Sequence, residues 1–250
     1  MRLHSIQGYI QNIHLVEYPY GCMLLDGCCK VDLPIICDYF EHSLKRPISD
    51  LKVIMVTHMH PDHAGCALAL QAASGAKIYT GEFSTQWYKG IRGSIAHIVD
   101  MALALWVAGR LGKKRQNVWY PKTLTPTKML PDNASVPEFT DWKVINTPGH
   151  TSQDISLVNT HAKYIYVADV LVQVKKKLVP PFPVYLPKEY KQTLHKLKKY
   201  EGYTLLMAHV SAISLEVSMI QNVIDISPNS PKTNWIAVKN KIARFRNKNA

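Results

Sequence analysis

The sequence predicts a single domain of the α/β or mixed α+β class, and three observations support this class. The chain has 250 residues, of which 47% are hydrophobic, so it is long and apolar enough to bury a substantial core. Eight short β-branched or apolar runs are each closed by turn residues, which is typical of strands. Segments with helical spacing lie between several of these runs, and strands interleaved with helices define the class.

The predicted strands and helices follow one another along the chain. Residues 35–44 place apolar side chains at helical spacing, and the Ala/Leu-rich segment 64–73 stops at Ser74 and Gly75, where a helix is expected to end. Residues 121–137 contain four prolines, which favours a linking loop. The eight predicted strands are residues 13–16, 22–25, 53–56, 77–79, 143–145, 155–158, 164–167 and 204–207.

Residues 83–118 differ in composition from the rest of the chain. They are rich in Ala, Leu, Ile and Trp and end in a basic group, so we predict an inserted helical cap of one or two helices. The longest apolar stretch, residues 94–109, carries His97 and Asp100 and is shorter than the ~20 residues that a bilayer span needs. We therefore expect a buried or interfacial helix, and no transmembrane segment.

Composition and charge restrict the compartment and the partners. Residues 1–18 alternate apolar and polar side chains and lack the continuous apolar run of a secretion signal. The five cysteines are an odd number in a chain too large to depend on disulfides, which favours reduced thiols in a cytoplasmic protein. The net charge of +12 favours anionic partners, whether nucleic acid, an acidic metabolite or a lipid headgroup. The sequence does not indicate the oligomeric state.

One loop concentrates candidate metal ligands. His58, His60, Asp62 and His63 fall within six positions, directly after a predicted strand and before a predicted helix. After a strand end, His58 and His60 can share one side while Asp62 and His63 close a second wall. Imidazole nitrogen and carboxylate oxygen suit zinc, iron or manganese. A lone histidine would more often be an ordinary hydrogen-bonded residue, but this cluster has a much smaller chance frequency, so we predict a metal site.

Three further candidate ligands lie at the ends of predicted strands. His150 follows one predicted strand, and Asp169 and His209 each close an apolar run that is typical of another strand. Ligand sites in open sheets gather beyond strand ends. We therefore expect these three side chains to converge with those of the loop on one metal site.

Taken together, these motifs resemble the metallo-β-lactamase superfamily. Its pattern of His-x-His-x-Asp-His, a later Gly-His-Thr, a strand-end Asp and a last strand-end His appears here in that order, over roughly residues 13–209. The resemblance implies an αββα sandwich with two divalent metal ions, of which zinc is expected and iron or manganese are alternatives. By this resemblance one metal is held by His58, His60 and His150, and the other by Asp62, His63 and His209, with Asp169 bridging.

The resemblance also gives other residues supporting roles. Asp26 follows a predicted strand, as does an acidic residue near the site in the family, and a turn or capping role is the alternative. Thr57 and Thr151 each adjoin a ligand in the sequence and are predicted to support it. Several true β-lactamases have Cys or no acid where this chain has Asp169, which disfavours antibiotic cleavage. Acyl-homoserine lactonases place a Tyr just after this position, and here the nearest candidate is the distant Tyr185.

The chemistry implied by this site is hydrolysis. Two divalent cations would share a water molecule and lower its pKa toward ~7, so that a metal-bridging hydroxide attacks the substrate at neutral pH. Asp62 is the predicted catalytic residue, because its outer oxygen can accept the proton of the hydroxide and pass it to the leaving group.

The substrate pocket is predicted from the inserted segment. Its apolar and aromatic side chains can roof a hydrophobic acyl or aryl group, and the alternative is that they only pack the insertion onto the sandwich. The predicted pocket residues are Phe83, Trp87, Tyr88 and Trp106 of this segment, together with Tyr185 from a later part of the chain.

Three classes of function stay open at this stage. The apolar insertion favours hydrolysis of a small ester, thioester or lactone. The net charge of +12 and the run Lys175, Lys176 and Lys177 favour a phosphodiesterase or nuclease acting on nucleic acid. The third class is a non-hydrolytic member, either an iron oxygenase or a binding protein, and two complete sets of metal ligands disfavour it.

Overall fold

The computed structural model describes residues 1–233, and most of its strands belong to two sheets. The strands are β1 (Arg2–Gln7), β2 (Asn12–Tyr18), β3 (Gly21–Leu24), β4 (Leu51–Val56), β5 (Lys77–Gly81), β6 (Lys128–Leu130), β7 (Ser135–Val136), β8 (Phe139–Asn146), β9 (Ile155–Asn159), β10 (Tyr164–Tyr166), β11 (Val172–Val174), β12 (Lys177–Val179), β13 (Thr204–Leu206) and β14 (Ile213–Ser214). The α-helices are α1 (Leu33–Asp38), α2 (Pro61–Ala64), α3 (Ala67–Ser74), α4 (Gly90–Arg110), α5 (Pro187–Leu197) and α6 (Val217–Ile226). Three-residue helical turns are Lys30–Asp32, Ile48–Asp50 and Lys198–Tyr200, and Tyr39–Leu44 is a π-helix.

Each of the two large sheets has six strands. The first has the order β1-β2-β3-β4-β5-β6 and the second the order β14-β13-β10-β9-β8-β7, while β11 and β12 form a separate hairpin. In the first sheet β1, β2 and β3 pair antiparallel, and β3 to β6 pair parallel. Strand β4 is buried at five of its six positions, because the second sheet covers one of its faces and helices cover the other.

Three apolar layers hold the elements together. Between the two sheets, Met55 of β4 packs in one cluster with Trp142 of β8. On the outer side of the first sheet, Leu70 of α3 and other helical residues form a second cluster. On the outer side of the second sheet, Leu194 of α5 and Ile220 of α6 belong to a third. This order of helix, sheet, sheet and helix confirms the expected mixed α/β class and the αββα sandwich.

The elements agree with the sequence-based expectation in most places. Each of the eight predicted strands overlaps an observed strand. The linking loop predicted for residues 121–137 is wrong in part, because it contains β6 and β7. Two of the three residues of β6 are exposed at the sheet edge, so no apolar pattern marks this strand. The single domain predicted over residues 1–250 stays a prediction, and residues 234–250 lie outside the described part of the chain.

The inserted segment contains the long helix α4. Its inner face, which includes Met101, Ala104 and Ala108, is buried in the cluster that covers the first sheet. Among the described residues, α4 is the one helix that is long and apolar enough to cross a membrane, judged by length and composition. One third of its most apolar window is buried inside the protein. The predicted helical cap is therefore a helix with one packed face.

Candidate metal centre

The loop after β4 presents four potential ligands from two kinds of backbone. Strand β4 ends at Val56, and α2 begins at Pro61. Proline suits the first helical turn because the N–H that it lacks would have no helical partner at that position. His60, directly before α2, is extended with φ −67° and ψ 157°. Asp62 and His63 then lie in the first turn of the helix. Extended and helical backbone within six residues allow these side chains to reach two neighbouring points.

One group of side chains, here called the histidine cluster, consists of His58, His60, His150 and Asp169. His60 Nδ1 lies 3.0 Å from His58 Nε2 and 3.0 Å from His150 Nε2. Asp169 Oδ2 lies 3.7 Å from His150 Nε2. Burial, followed by the neighbouring imidazoles, lowers the pKa of His58 well below its usual value and that of His60 to about 3. The imidazoles of His58 and His60 are therefore neutral, which is the form that binds a metal.

A second group, here called the mixed cluster, consists of Asp62, His63, Asp169 and His209. His209 Nε2 lies 3.3 Å from an oxygen of Asp62 and 3.3 Å from Asp169 Oδ1. His63 Nε2 lies 3.4 Å from the same Asp169 oxygen. Burial lowers the pKa of His209, but the carboxylates of Asp169 and Asp62 outweigh it and raise the pKa to about 10. The protonated imidazoles of His63 and His209 balance the negative charge of the buried carboxylates. A metal cation bound at the same point would replace these protons.

The donor sets of both clusters fit divalent metal ions. In each cluster the four ligand atoms lie within 4.8 Å of one another, and Asp169 contributes to both. His63 Nε2 and Asp169 Oδ1 are buried without a hydrogen-bond partner, although they face each other in the mixed cluster. Buried polar atoms normally have a partner, so orphaned atoms that converge on one point are typical of a metal site. Nitrogen and carboxylate ligands suit zinc, iron or manganese.

In most of the candidate histidine ligands, the ring nitrogen that does not face the clusters has a hydrogen-bond acceptor. His150 Nδ1 donates to the carbonyl oxygen of Pro183 at 2.7 Å, and His209 Nδ1 donates to that of Ile10 at 3.0 Å. A carbonyl oxygen only accepts, so in both rings Nδ1 carries the proton and Nε2 is left for the cluster. Such partners fix the orientation and the tautomer of a metal ligand.

Asp26 links the two clusters from behind. Its Oδ2 accepts hydrogen bonds from His63 Nδ1 at 2.6 Å, Thr57 Oγ1 at 2.7 Å and Tyr166 OH at 3.0 Å. Because the Thr57 hydroxyl donates to Asp26, its oxygen is free to accept from His58 Nδ1 at 3.1 Å. The structure thus places Asp26 and Thr57 behind one candidate ligand of each cluster, and their predicted supporting roles stay predictions.

Thr151 has a different neighbour. Its backbone N–H and its hydroxyl both donate to the buried carboxylate of Asp154. These hydrogen bonds to Asp154 hold the loop that follows His150 in one conformation. The imidazole of His150 donates to Pro183 and not to Thr151, so the predicted supporting role of Thr151 stays a prediction.

His60 differs from the other histidines because its Nδ1 faces the cluster. Its Nε2 is buried without a hydrogen-bond partner and lies 3.7 Å from Asp100 Oδ2, a carboxylate on the inner face of α4. Tyr88 OH donates to the same Asp100 oxygen at 2.8 Å. Asp100, Tyr166 and the two carbonyl groups are site groups that the sequence does not predict. An acidic residue inside an apolar helix is the one signal among these that the sequence carries.

A cavity of about 400 Å³ opens onto both clusters. Metal-cluster residues form one part of its lining, and apolar residues form most of the rest. Helix α4 contributes Leu103, Ala104 and Val107, and Leu111 follows directly after its end. Val172, Pro181 and Phe182 add apolar surface from the segment that contains the β11–β12 hairpin.

The five predicted pocket residues are not among those that line this cavity. Tyr88 is buried and bonds to Asp100, and Trp87 packs its ring against Tyr185 at a centroid distance of 5.2 Å. Trp106 is 60% exposed on the outer face of α4, and Phe83 is partly buried before the helix. The insertion does supply part of the cavity wall, but it does so with Leu103, Ala104 and Val107 and not with Trp106.

An αββα sandwich with two adjoining His/Asp clusters at one end defines a class of metal-binding protein. The family model of the metallo-beta-lactamase superfamily matches residues 6–209. A curated relative from Bacillus subtilis (strain 168), "Probable metallo-hydrolase YflN", is 21% identical over 178 residues, which are 70% of this chain and 66% of that protein. The match thus spans just under two thirds of the relative's length.

Solved structures show the same fold. The metallo-beta-lactamase family protein TTHA1429 from Thermus thermophilus superposes with a TM-score of 0.64 and 19% identity, over 90% of this chain and 78% of that one. TTHA1623 in a di-iron-bound form gives a TM-score of 0.58 and 17% identity, over 89% and 98%. The chain belongs to the metallo-beta-lactamase superfamily, which confirms the resemblance noted in the sequence.

Proposed function

We propose that this chain is a dinuclear metal-dependent hydrolase that cleaves a small ester, thioester or lactone with an apolar acyl group. The observation that carries this proposal is one cavity with two kinds of lining. Both ligand clusters open into it, and much of the remaining lining is apolar. A polar reaction centre beside an apolar wall suits a substrate whose carbonyl group adjoins a hydrocarbon group.

The metal ions would be held by the residues of the two clusters. The histidine cluster takes one ion and the mixed cluster the other, with Asp169 shared, and zinc is the first expectation. Divalent ions in such sites lower the pKa of coordinated water toward ~7 and so supply hydroxide at neutral pH. The di-iron form of the structural neighbour and the hydrolase name of the curated relative support this assignment.

Asp62 is the proposed general acid and base. It lines the cavity, and one of its oxygens contacts His209 while its backbone carbonyl oxygen accepts a hydrogen bond from Gln11 Nε2. Burial raises the pKa of Asp62, but the charges of His63 and His209 outweigh it and lower the pKa. The carboxylate is therefore ionised and able to take a proton and return it to the leaving group.

The apolar wall has two proposed tasks. Leu103, Val107 and Leu111 on one side and Phe182 on the other would bind a hydrocarbon chain by removing its surface from water. The same side chains would exclude bulk water from the clusters once the substrate is bound, which strengthens the electrostatic interactions there. A charged polymer such as nucleic acid gains nothing from this wall.

A phosphodiesterase is the second candidate, because Lys175, Lys176 and Lys177 lie exposed at the tip of the β11–β12 hairpin. Val172, at the start of that hairpin, lines the cavity. This places a basic group near the cavity without placing it in the lining. Phosphodiester cleavage therefore serves as an outcome of the test.

The test combines metal analysis with a substrate panel. We expect close to two divalent ions per chain and faster turnover of p-nitrophenyl octanoate than of p-nitrophenyl acetate, judged by kcat/KM. A phosphodiester, a β-lactam, a lactone and a thioester complete the panel. Protein without divalent metal, or one that prefers the phosphodiester to every acyl substrate, would overturn the proposal.

A further inference from the structure

Helix α4 exposes an apolar stripe on the face opposite to its buried one. Ile91, Ile95, Ile98 and Trp106 are 83%, 40%, 57% and 60% exposed. Their spacing of four, three and eight residues places them on one side of a helix with 3.6 residues per turn. Exposed Ala102 lies in the gap of the same stripe. Single exposed apolar residues are ordinary, but a continuous stripe of this kind marks an interaction surface.

The surroundings of the stripe are strongly basic. Residues 83–124 contain seven Lys or Arg residues, all exposed, and a single acidic residue, Asp100, which is buried. The seven are Lys89, Arg92, Arg110, Lys113, Lys114, Arg115 and Lys122. The guanidinium of Arg110 lies 5.5 Å from the centre of the Trp106 ring, so an aromatic and a cation share one end of the stripe. An apolar stripe bordered by cations complements an anionic lipid surface.

The packing of α4 determines how it can meet a membrane. Its inner face is buried against the first sheet, and it carries His97 and Asp100, which are 2% and 6% exposed. A spanning orientation would strip this face from the core and place both polar groups in hydrocarbon. With the helix lying in the plane of the membrane surface, only the outer stripe leaves water and the packing is kept.

Other occupants fit the face less well. A second copy docked through the same stripe would bring two sets of seven cations together, which costs free energy at an interface of low dielectric constant. Nucleic acid would satisfy the cations but would leave the isoleucines without an apolar partner. The partner that offers anionic headgroups beside hydrocarbon is the surface of a lipid bilayer.

We propose that the outer face of α4 docks this protein on membranes that contain anionic lipid, with the helix axis parallel to the membrane surface. Ile91, Ile95, Ile98 and Trp106 enter the interface between headgroups and acyl chains, and the surrounding Lys and Arg side chains contact the anionic headgroups. The docking does not depend on the proposed reaction, because none of these four stripe residues lines the cavity.

Vesicle flotation tests the proposal with the full chain. We compare vesicles of phosphatidylcholine alone with vesicles of equal parts phosphatidylcholine and phosphatidylglycerol. The protein is expected to float only with the anionic vesicles and to be released by high salt, because surface charges are screened beyond ~3 Å at 1 M. The emission of Trp106 should shift to shorter wavelength on binding, and Trp106→Phe should lose that part of the shift.

Matched variants separate the stripe from the protein surface in general. Ile98→Asp should weaken binding at least about tenfold, because it removes an apolar side chain from the interface and adds a negative charge. Ile226→Asp is its control, because Ile226 is also 57% exposed but lies at the end of α6. Lys113→Gln with Lys114→Gln should weaken binding about fivefold for each lysine. The double variant Lys143→Gln with Lys163→Gln changes two exposed lysines elsewhere and serves as its control.

The outcomes each decide the question. Binding to anionic vesicles that is lost in Ile98→Asp and kept in Ile226→Asp supports the proposal. Absence of flotation, equal binding to both kinds of vesicle, or equal losses in the stripe and control variants overturns it. A concentration-dependent dimer that Ile98→Asp abolishes, without vesicle binding, would overturn it and assign the face to a second copy. Ester turnover in solution is measured in parallel, so failure of the proposed function is seen separately.

Discussion

Replacing Asp26 by Asn tests whether one buried carboxylate organises both metal clusters. Asp26 is 5% exposed, and its two oxygens accept five hydrogen bonds. Oδ1 accepts from the backbone N–H groups of Gly27 and Thr57. Oδ2 accepts from the side chains of His63, Thr57 and Tyr166. An Asn side chain has only one oxygen, and its amide group donates where the carboxylate accepts.

The expected cost follows from this geometry. With the amide nitrogen at the Oδ1 position two donors lose their acceptor, and with the nitrogen at the Oδ2 position three donors lose it. A hydrogen bond to a charged group contributes about 1.5 to 3 kcal/mol, so even the better orientation of the substituted amide costs about 3 kcal/mol or more. For a chain of this length such a loss corresponds to a decrease in Tm of about 10 °C.

The metal affinity should fall as well, and more in the mixed cluster. Asp26 contacts His63 directly, whereas it reaches His58 only through the hydroxyl of Thr57. Loss of a hydrogen-bond partner behind a metal ligand typically costs about 10- to 100-fold in metal affinity. We expect Asp26→Asn to lose one of two ions first, measured by chelator competition and elemental analysis.

Asp141→Asn is the matched control for this experiment. Asp141 Oδ2 also accepts hydrogen bonds from two side chains, those of Tyr18 and Asn159, but neither belongs to the clusters. This variant should lose stability and keep the metal affinity of the unmodified protein. If Asp26→Asn binds two ions as tightly as the unmodified protein, Asp26 does not organise the ligands.

Four further changes have defined outcomes. Asp62→Asn should keep the metal content and lower kcat about 10²- to 10⁴-fold, and unchanged turnover would remove Asp62 from the mechanism. Asp169→Ala should lose metal itself, because Asp169 contributes to both clusters, and retention of two ions would contradict the bridge. Val107→Trp should fill the cavity and raise KM for the octanoate ester more than for the acetate ester; equal effects would show that the acyl chain binds elsewhere. Burial raises the pKa of Asp32 to about 6, above its unfolded value of about 3.9, so the folded protein holds this proton more tightly. The free energy of unfolding, measured relative to that of Asp32→Asn, should therefore fall as pH rises from about 4 through 6. A difference that does not change with pH would contradict this.

Much of the fold and of the ligand set could be predicted because the signals are local. Residues 53–56 of β4 form a continuous apolar run, and the four candidate ligands that follow the strand lie within six residues. His150, Asp169 and His209 come after strands whose apolar residues mark their ends, and the structure brings all three to the same clusters. The hydrogen bonds from His150 and His209 to backbone carbonyl groups could not be predicted, since any residue type can provide a carbonyl oxygen.

The cavity lining could not be predicted for a different reason. The inserted segment is apolar on both faces of α4, so its composition does not indicate which face turns inward. Trp106 and Val107 are neighbours in the sequence, yet one is exposed on the outer stripe and the other lines the cavity. Aromatic residues are the stronger sequence signal for a pocket, but the rotation of α4 about its axis turns smaller aliphatic residues toward the cavity. Asp100 indicates which face of α4 turns inward, because a buried carboxylate needs polar neighbours and these lie at the clusters.

The two faces of α4 connect the proposed reaction with the proposed docking surface. The cavity wall and the exposed stripe belong to the same helix, whose diameter with side chains is about 10 Å. A molecule with an acyl chain in the membrane would therefore have to cross little more than one helix width to reach the clusters. Asp100 lies on the inner face, 3.7 Å from His60, so displacement of α4 at a membrane would change the surroundings of this candidate metal ligand. Faster turnover of the octanoate ester on anionic vesicles than in solution, abolished by Ile98→Asp, would show that the two faces act together.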